Sequence, residues 1–111
     1  MPSALQNARE RQQAKLEREQ PGSLVFNGTT YTGGGRDLSP FRQEQNESGN
    51  WAPAQRITLH VRKTLMVTPP AKRQTFTSSG HTWKVAEVGG QSPTELAWII
   101  KGIRWPDSPA A

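Results

Sequence analysis

The stretch RITLHVRKTLMV, residues 56–67, limits the possible folds more than any other part of the chain. Ile57, Leu59, Val61, Leu65 and Val67 share one parity, interrupted only by Lys63. Arg56, Thr58, His60, Arg62 and Thr64 share the other, with Met66 the exception. Successive side chains of an extended chain point to opposite faces, so this period of two predicts a long half-buried strand, bent near Arg62-Lys63. Thr68-Pro69-Pro70 ends it, because proline has no N–H to give to a ladder. A strand buried on one face needs partners and a second apolar layer.

Those partners are visible on both sides. Upstream, Ser23–Phe26 and Thr29–Thr32 are rich in β-formers and flank Asn27-Gly28, a pair suited to the two positive φ angles of a type I′ hairpin turn. Downstream, Gln74–Thr77 leads into a Ser78-Ser79-Gly80 turn, and His81–Val88 places Trp83 and Val85 on one face. After Gly89–Pro93, the segment Glu95–Ile103 is apolar on both parities and is expected to be the most buried strand, with Trp98 in the core. The predicted class is mainly β: a small antiparallel barrel or sandwich of about six strands.

Residues 3–20 predict a helix, capped by Ser3 and stopped by Pro21-Gly22. Leu5, Ala8 and Leu16 form a broken apolar stripe, and Arg11 and Lys15 stand at the like-charge spacing of four. Such a helix buries little alone, so an arm over residues 1–22 is expected to be mobile or to order on a neighbour. Leu5 and Leu16 are its candidate partner contacts. Residues 33–55 lack periodicity and are punctuated by three glycines, Ser-Pro, Asn-Glu-Ser-Gly-Asn and Ala-Pro, which predicts a long loop. Phe41 and Trp51 are unusual in a simple linker and mark this loop as one that docks. The organisation expected is an arm, one β-domain over 23–105 carrying the loop 33–55, and a tail over 106–111. Trp105, at the end of the domain, joins the candidate interface set.

Charge and bulk divide unevenly. Residues 1–55 hold six basic and six acidic side chains, whereas residues 56–104 hold eight basic and two acidic. Asp107 completes the formal charge of +5. Bulky apolar residues number 10 in residues 1–55 and 16 in 56–105, so the positive field belongs to the half that carries the core. Such a field favours anionic partners, nucleic acid or an acidic protein face, and equally serves solubility. No apolar run approaches the roughly 20 residues that span a bilayer, which argues against a membrane protein. No charged n-region followed by an apolar stretch opens the chain, as a secretory signal would. The absence of cysteine excludes disulfides and thiol chemistry.

Catalytic patterns are missing. His60 and His81 lie in strands with no carboxylate at a pairing distance in sequence, and both are expected to be exposed. Gly33-Gly34-Gly35-Arg36-Asp37 lacks the Gly-Lys-Ser/Thr ending of a phosphate loop and a following helix, so it reads as a flexible loop entry. No catalytic, cofactor-binding or metal-ligating residue is assigned, and an enzyme is not expected. A basic β-barrel with tryptophans also fits single-strand nucleic-acid binding, through aromatic platforms in a positive groove. Trp83 and Trp98 are expected in the core, however, which weakens that alternative.

The order of elements, and above all Gln74–Ile103, carries a resemblance. Phe76, the Ser78-Ser79-Gly80 turn, Trp83-Lys84-Val85-Ala86-Glu87-Val88, a Gly-rich turn and Leu96-Ala97-Trp98-Ile99-Ile100 follow one another there. This resembles the head–tail joining proteins of long-tailed bacteriophages, the tail-attachment or stopper type exemplified in phage lambda. The likeness covers about residues 23–103, by order of elements more than by identities. In place of the Gly-Asp pair often found before the first strand of the C-terminal meander, this chain has Lys72-Arg73. The resemblance implies a structural subunit of the virion neck, assembled in the bacterial host cytoplasm and needing no cofactor. It implies a homo-oligomeric ring, typically of six copies, between portal-adaptor proteins and the tail terminator or tail tube. Arg36, Arg42, Lys72 and Arg73 would then be candidates to face the DNA channel, touching phosphates without base preference. A tail terminator or another neck component has the same outline.

Overall fold

The computed structural model describes residues 4–46 and 48–105, with side chains from residue 7 onward. Helix α1 (Ala4–Glu19) precedes seven strands: β1 (Pro21–Phe26), β2 (Thr29–Leu38), β3 (Arg42–Gln45), β4 (Trp51–Arg62), β5 (Thr75–Ser78), β6 (His81–Gly89) and β7 (Ala97–Arg104). Every pairing is antiparallel. The order β2-β1-β5-β6-β7-β4 closes on itself because β2 also pairs with β4, which makes a six-stranded barrel, and β3 adds a seventh strand beside β4. The Ser3 cap and the tail 106–111 lie outside the described residues.

Two tight turns set the register. Asn27 and Gly28 take φ of 51° and 78° between the paired Phe26 and Thr29, the backbone a type I′ turn requires. Ser79 and Gly80 repeat this, at 53° and 76°, between Ser78 and His81. Loop lengths of two leave these strands no freedom to slip.

A barrel of six strands has a narrow interior that side chains fill. Leu24, Ile57, Leu59, Val61, Met66, Phe76, Trp83, Val85 and Ile100 pack there as one cluster. Trp83 is its largest member, and its indole N–H donates to the Ser78 carbonyl at 2.9 Å, so the ring is buried without an orphaned donor. Gly102 makes room for it: a Cβ there would stand 2.7 Å from Phe76 Cζ and 3.0 Å from Trp83 Cβ.

Several expectations are corrected. The strand predicted at 56–67 begins earlier, at Trp51, and ends at Arg62. The amides of Leu65 and Met66 both donate to the Arg62 carbonyl at 3.1 Å, and this turn reverses the parity that follows. Met66 therefore plugs the barrel end, while Leu65 and Val67 face solvent, 50% and 84% exposed. Trp98 is half-buried, its indole donating to the Met66 carbonyl at 2.8 Å, so Trp83 and not Trp98 is the central aromatic. The strand predicted from Glu95 starts at Ala97, with Glu95 exposed.

The largest correction concerns residues 33–55, which form β2's second half, β3 and the start of β4 instead of a loop. Gly33, Gly34 and Gly35 are buried strand residues and not a flexible entry. Gly35 has φ of 68° within a register shift between Gly34 and Asp37, a bulge that bends β2 from its pairing with β1 toward β4. Gly34 also seats α1, which is ordered on its own barrel, while Gly33 and Gly35 lie against β4. A Cβ on Gly34 would lie 2.5 Å from the Glu17 amide nitrogen and one on Gly33 2.5 Å from the His60 carbonyl.

Two substitutions separate barrel from helix. Trp83→Ala removes the central ring and is expected to cost about 3–5 kcal/mol in chemical denaturation, with a smaller loss for half-buried Trp98→Ala. Gly34→Val is expected to dislodge α1 while the barrel persists, read as lost amide protection confined to α1.

Candidate functional site

The barrel has two ends. At one lie the Asn27-Gly28 turn, the β4–β5 connection and the β6–β7 connection. At the other lie the Ser79-Gly80 turn, the entry to β1 and the exit of β7. From this second end β3 and the first residues of β4 project as a two-stranded arm, in the register Arg42↔Ala54 to Gln45↔Trp51.

The arm is braced at every level. At its tip, Asn46 Oδ1 accepts from the amides of Ser48 and Asn50, both at 3.0 Å, and Gly49 takes φ of 83°. Along one face the Arg56 guanidinium chelates Glu44, with Nε 2.9 Å from Oε2 and Nη2 2.5 Å from Oε1. The guanidinium holds the Glu44 carboxyl below its ordinary range, against a burial effect that pushes it up. Trp105 donates its indole N–H to the Glu44 carbonyl at 3.3 Å. At the base, Ser39 exchanges backbone and hydroxyl bonds with Arg56, and Gln55 donates to the Ser39 carbonyl at 3.2 Å.

Arg104 caps the barrel mouth beneath the arm. Its guanidinium carbon lies 5.4 Å from the Phe41 ring centre and 5.2 Å from that of Trp83, while Nη2 donates to Gln55 Oε1 at 2.9 Å. Phe41 is 50% exposed and Trp51 69%. A braced ribbon thus offers two aromatics to solvent without a loop to order on contact, which lowers the entropic cost of docking.

The predicted site residues are therefore partly gathered. Phe41, Trp51, Trp105 and Arg42 share the arm. Trp105 is half-buried against Glu44, so it supports the arm and presents little surface of its own. Arg36 is exposed at the same barrel end, donating to Ser79 Oγ at 3.1 Å. Lys72 and Arg73 lie late in the β4–β5 connection, with the Arg73 amide donating to the Val85 carbonyl midway along β6, and so are not on the arm with Arg42. Leu16 is half-buried and lines the cleft beneath α1, directed at its own barrel. The side chain of Leu5 lies outside the described residues.

The helix is held by a polar stripe that a search for apolar periodicity passes over. Glu10, Gln13 and Glu17 stand at i, i+3 and i+7, a spacing that places them on one helical face. Glu17 receives the Arg62 guanidinium, with Nε 3.0 Å from both carboxylate oxygens, and Arg62 also pairs with Glu10. Gln13 is 6% exposed and donates to the His60 carbonyl at 3.4 Å. Arg9 donates to the Thr94 carbonyl. Beneath the helix a cleft of about 300 Å³ is bordered by Gln12, Leu16, His60, Glu95 and Ile99 among others. His60, expected to be exposed, is half-buried here, whereas His81 is exposed.

Hydrogen bonding to Arg62 holds the Glu17 carboxyl below its ordinary range, against the opposing effect of burial. Burial pushes His60 below its ordinary 6.5, against an upward pull from Glu95. Both shifts act in the same sense. A histidine lowered in the fold costs stability as pH falls from 6.5 through its folded value. A lowered carboxylate loses its contribution as pH falls from the ordinary 4.5 through its own folded value.

Among the described residues no three His, Cys, Asp or Glu side chains gather as metal ligands, and no helix is long and apolar enough to cross a membrane. No protein-family model matches the chain, and no curated protein matches it in sequence.

Acidification from pH 7 to 4 is expected to expose α1 amides to hydrogen exchange before those of β4 and β7. Arg62→Ala should release α1 already at pH 7. Unchanged α1 protection in that variant would show that the helix is held by other contacts.

Proposed function

We propose that this chain is a structural subunit of a bacteriophage head–tail connector, a stopper-type ring protein of the virion neck. The observation that carries this reading is the braced arm, which presents Phe41 and Trp51 from a barrel whose interior is filled by side chains. A filled barrel is a spacer, and an aromatic-bearing rigid ribbon is suited to contact between subunits or with the next ring. The order of elements in Gln74–Ile103 supports the same family.

In this reading the copies form a homo-oligomeric ring, six by analogy with the joining family. The ring stands between portal-adaptor proteins and the tail terminator or tail tube, in virions assembled in the host cytoplasm. Arg36 and Arg42, exposed at the arm end, make transient contacts with passing DNA, which needs charge without base recognition. The chain performs no catalysis and takes no cofactor. A tail terminator would use the same arm against a different neighbour.

Electron microscopy of the protein mixed with tailless heads tests the reading, with a ring at the portal vertex as the expected result. Trp51→Ser should leave stability within about 0.5 kcal/mol, because the ring is exposed, yet prevent that ring from forming. Absence of any ring, with tight and salt-sensitive binding of single-stranded oligonucleotides, would replace the connector by a nucleic-acid-binding barrel.

A further inference from the structure

We propose that the outer edge of β3 pairs with β3 of a second copy, antiparallel and centred on Gln43. β3 ends the strand order with β4 as its neighbour, so its far edge is unpaired among the described residues. The bonds across the arm fix which groups that edge presents. The Asn46 amide donates to the Asn50 carbonyl at 2.8 Å, which makes these two a hydrogen-bonded pair. Bonded pairs recur at every second position, so Glu44 bonds Ala52 and Arg42 bonds Ala54. Gln43 and Gln45 therefore turn their N–H and C=O groups outward. Gln43 stands opposite Pro53, which has no N–H to give, in agreement with that alternation. The Pro53 nitrogen accordingly lies on the outer edge of β4, where it blunts the arm's other side. The β3 edge has no such interruption, and Arg42, Gln43 and Gln45 are exposed along it.

A second copy of the same strand matches this edge in charge as well as in backbone. Centring the pair on Gln43 sets Arg42 of each copy opposite Glu44 of the other. These are non-hydrogen-bonded positions, where facing side chains stand closest. Recentring on Arg42 or on Glu44 also joins outward groups, but it sets two arginines or two glutamates directly opposite. Among the described residues Arg42 makes no ion pair or side-chain hydrogen bond, and it acts on Glu44 of its own strand only through space. Arg56 chelates Glu44 from within the arm, yet the Glu44 side chain remains 25% exposed.

The opposite face of the arm gains from the same register. Gln43 and Gln45 share that face with Trp51, the register partner of Gln45. Phe41, two residues before Gln43, then stands opposite Gln45 of the second copy, one strand away from that copy's Trp51. Pairing thus lays a four-stranded sheet across two aromatics that each free copy leaves exposed. The contact is isologous and closes at two copies. It joins free subunits, or one ring to another, and cannot itself propagate a ring, so it does not rest on the connector reading.

Sedimentation of the full chain tests the pairing on the free protein. A four-residue ladder is short, so a dissociation constant on the order of 0.1 mM is expected, with the mass rising from one copy to two. Gln43→Pro removes an outward N–H and no bond of the arm, and should weaken the pair about tenfold or more. Gln43→Ala keeps the backbone donor and should leave the pair in place. Arg42→Glu sets two acids opposite each other and should also weaken it about tenfold or more. The register is read by crosslinking, since the chain has no cysteine of its own. Gln43→Cys should form a disulfide-linked dimer about tenfold faster than Gln45→Cys, whose two copies would stand roughly 14 Å apart along the ladder. A protein that stays monomeric up to about 1 mM overturns the proposal. So does a dimer indifferent to Gln43→Pro or to Arg42→Glu, and so does Gln45→Cys crosslinking as fast as Gln43→Cys. These readouts need no phage heads, so their failure is distinguished from failure of ring formation at the portal vertex.

Discussion

The pairing of β2 with β4 at Gly34 and His60 is the constraint on which the remaining architecture rests. Without it the six strands form an open sheet with two long edges, a form prone to pairing with other chains. With it the sheet closes, the interior becomes narrow enough for Trp83 and Phe76 to fill, and the outer face of the join becomes a seat for α1. The closure requires β2 to bend within three residues, and three consecutive glycines permit this. The same absence of side chains that allows the bend lets the helix backbone approach at Leu16 and Glu17.

Polar contacts then carry what apolar ones carry in most small domains. α1 has little apolar surface to bury, so its position depends on Arg62 between Glu10 and Glu17, and on Gln13 against the His60 carbonyl. Partly exposed ion pairs contribute modestly and are screened by salt. The helix is consequently the part of the fold most open to displacement by acid or by a competing partner. The barrel beneath has the opposite character, with its apolar cluster and its indole donors all satisfied.

Exposed large apolar side chains collect toward the two ends of the barrel: Leu38, Phe41 and Trp51 at the arm end, Val25, Leu65 and Val67 at the other. The flank between them carries the helix and the paired charges.

Hairpins at Asn27-Gly28 and Ser79-Gly80, the strand through Ile57, Leu59 and Val61, and the barrel-or-sandwich class were legible in the sequence, because local turn chemistry and a period of two follow from backbone geometry alone. Phe41 and Trp51 stood out as aromatics in polar surroundings. Residues 33–55 read as a loop because the arm lies outside the core, where neither face of a strand must be apolar and no period is written. The reversal at Lys63–Leu65, which exchanged Met66 for Leu65 and Val67 in the core, depends on where β4 leaves β7. The seat of α1 depends on how closely two backbones approach. Sequence determined the two hairpin turns and the extended segments whose one face must be apolar. Tertiary structure alone decided which side chains meet, since closure of the barrel joins residues that no local pattern relates.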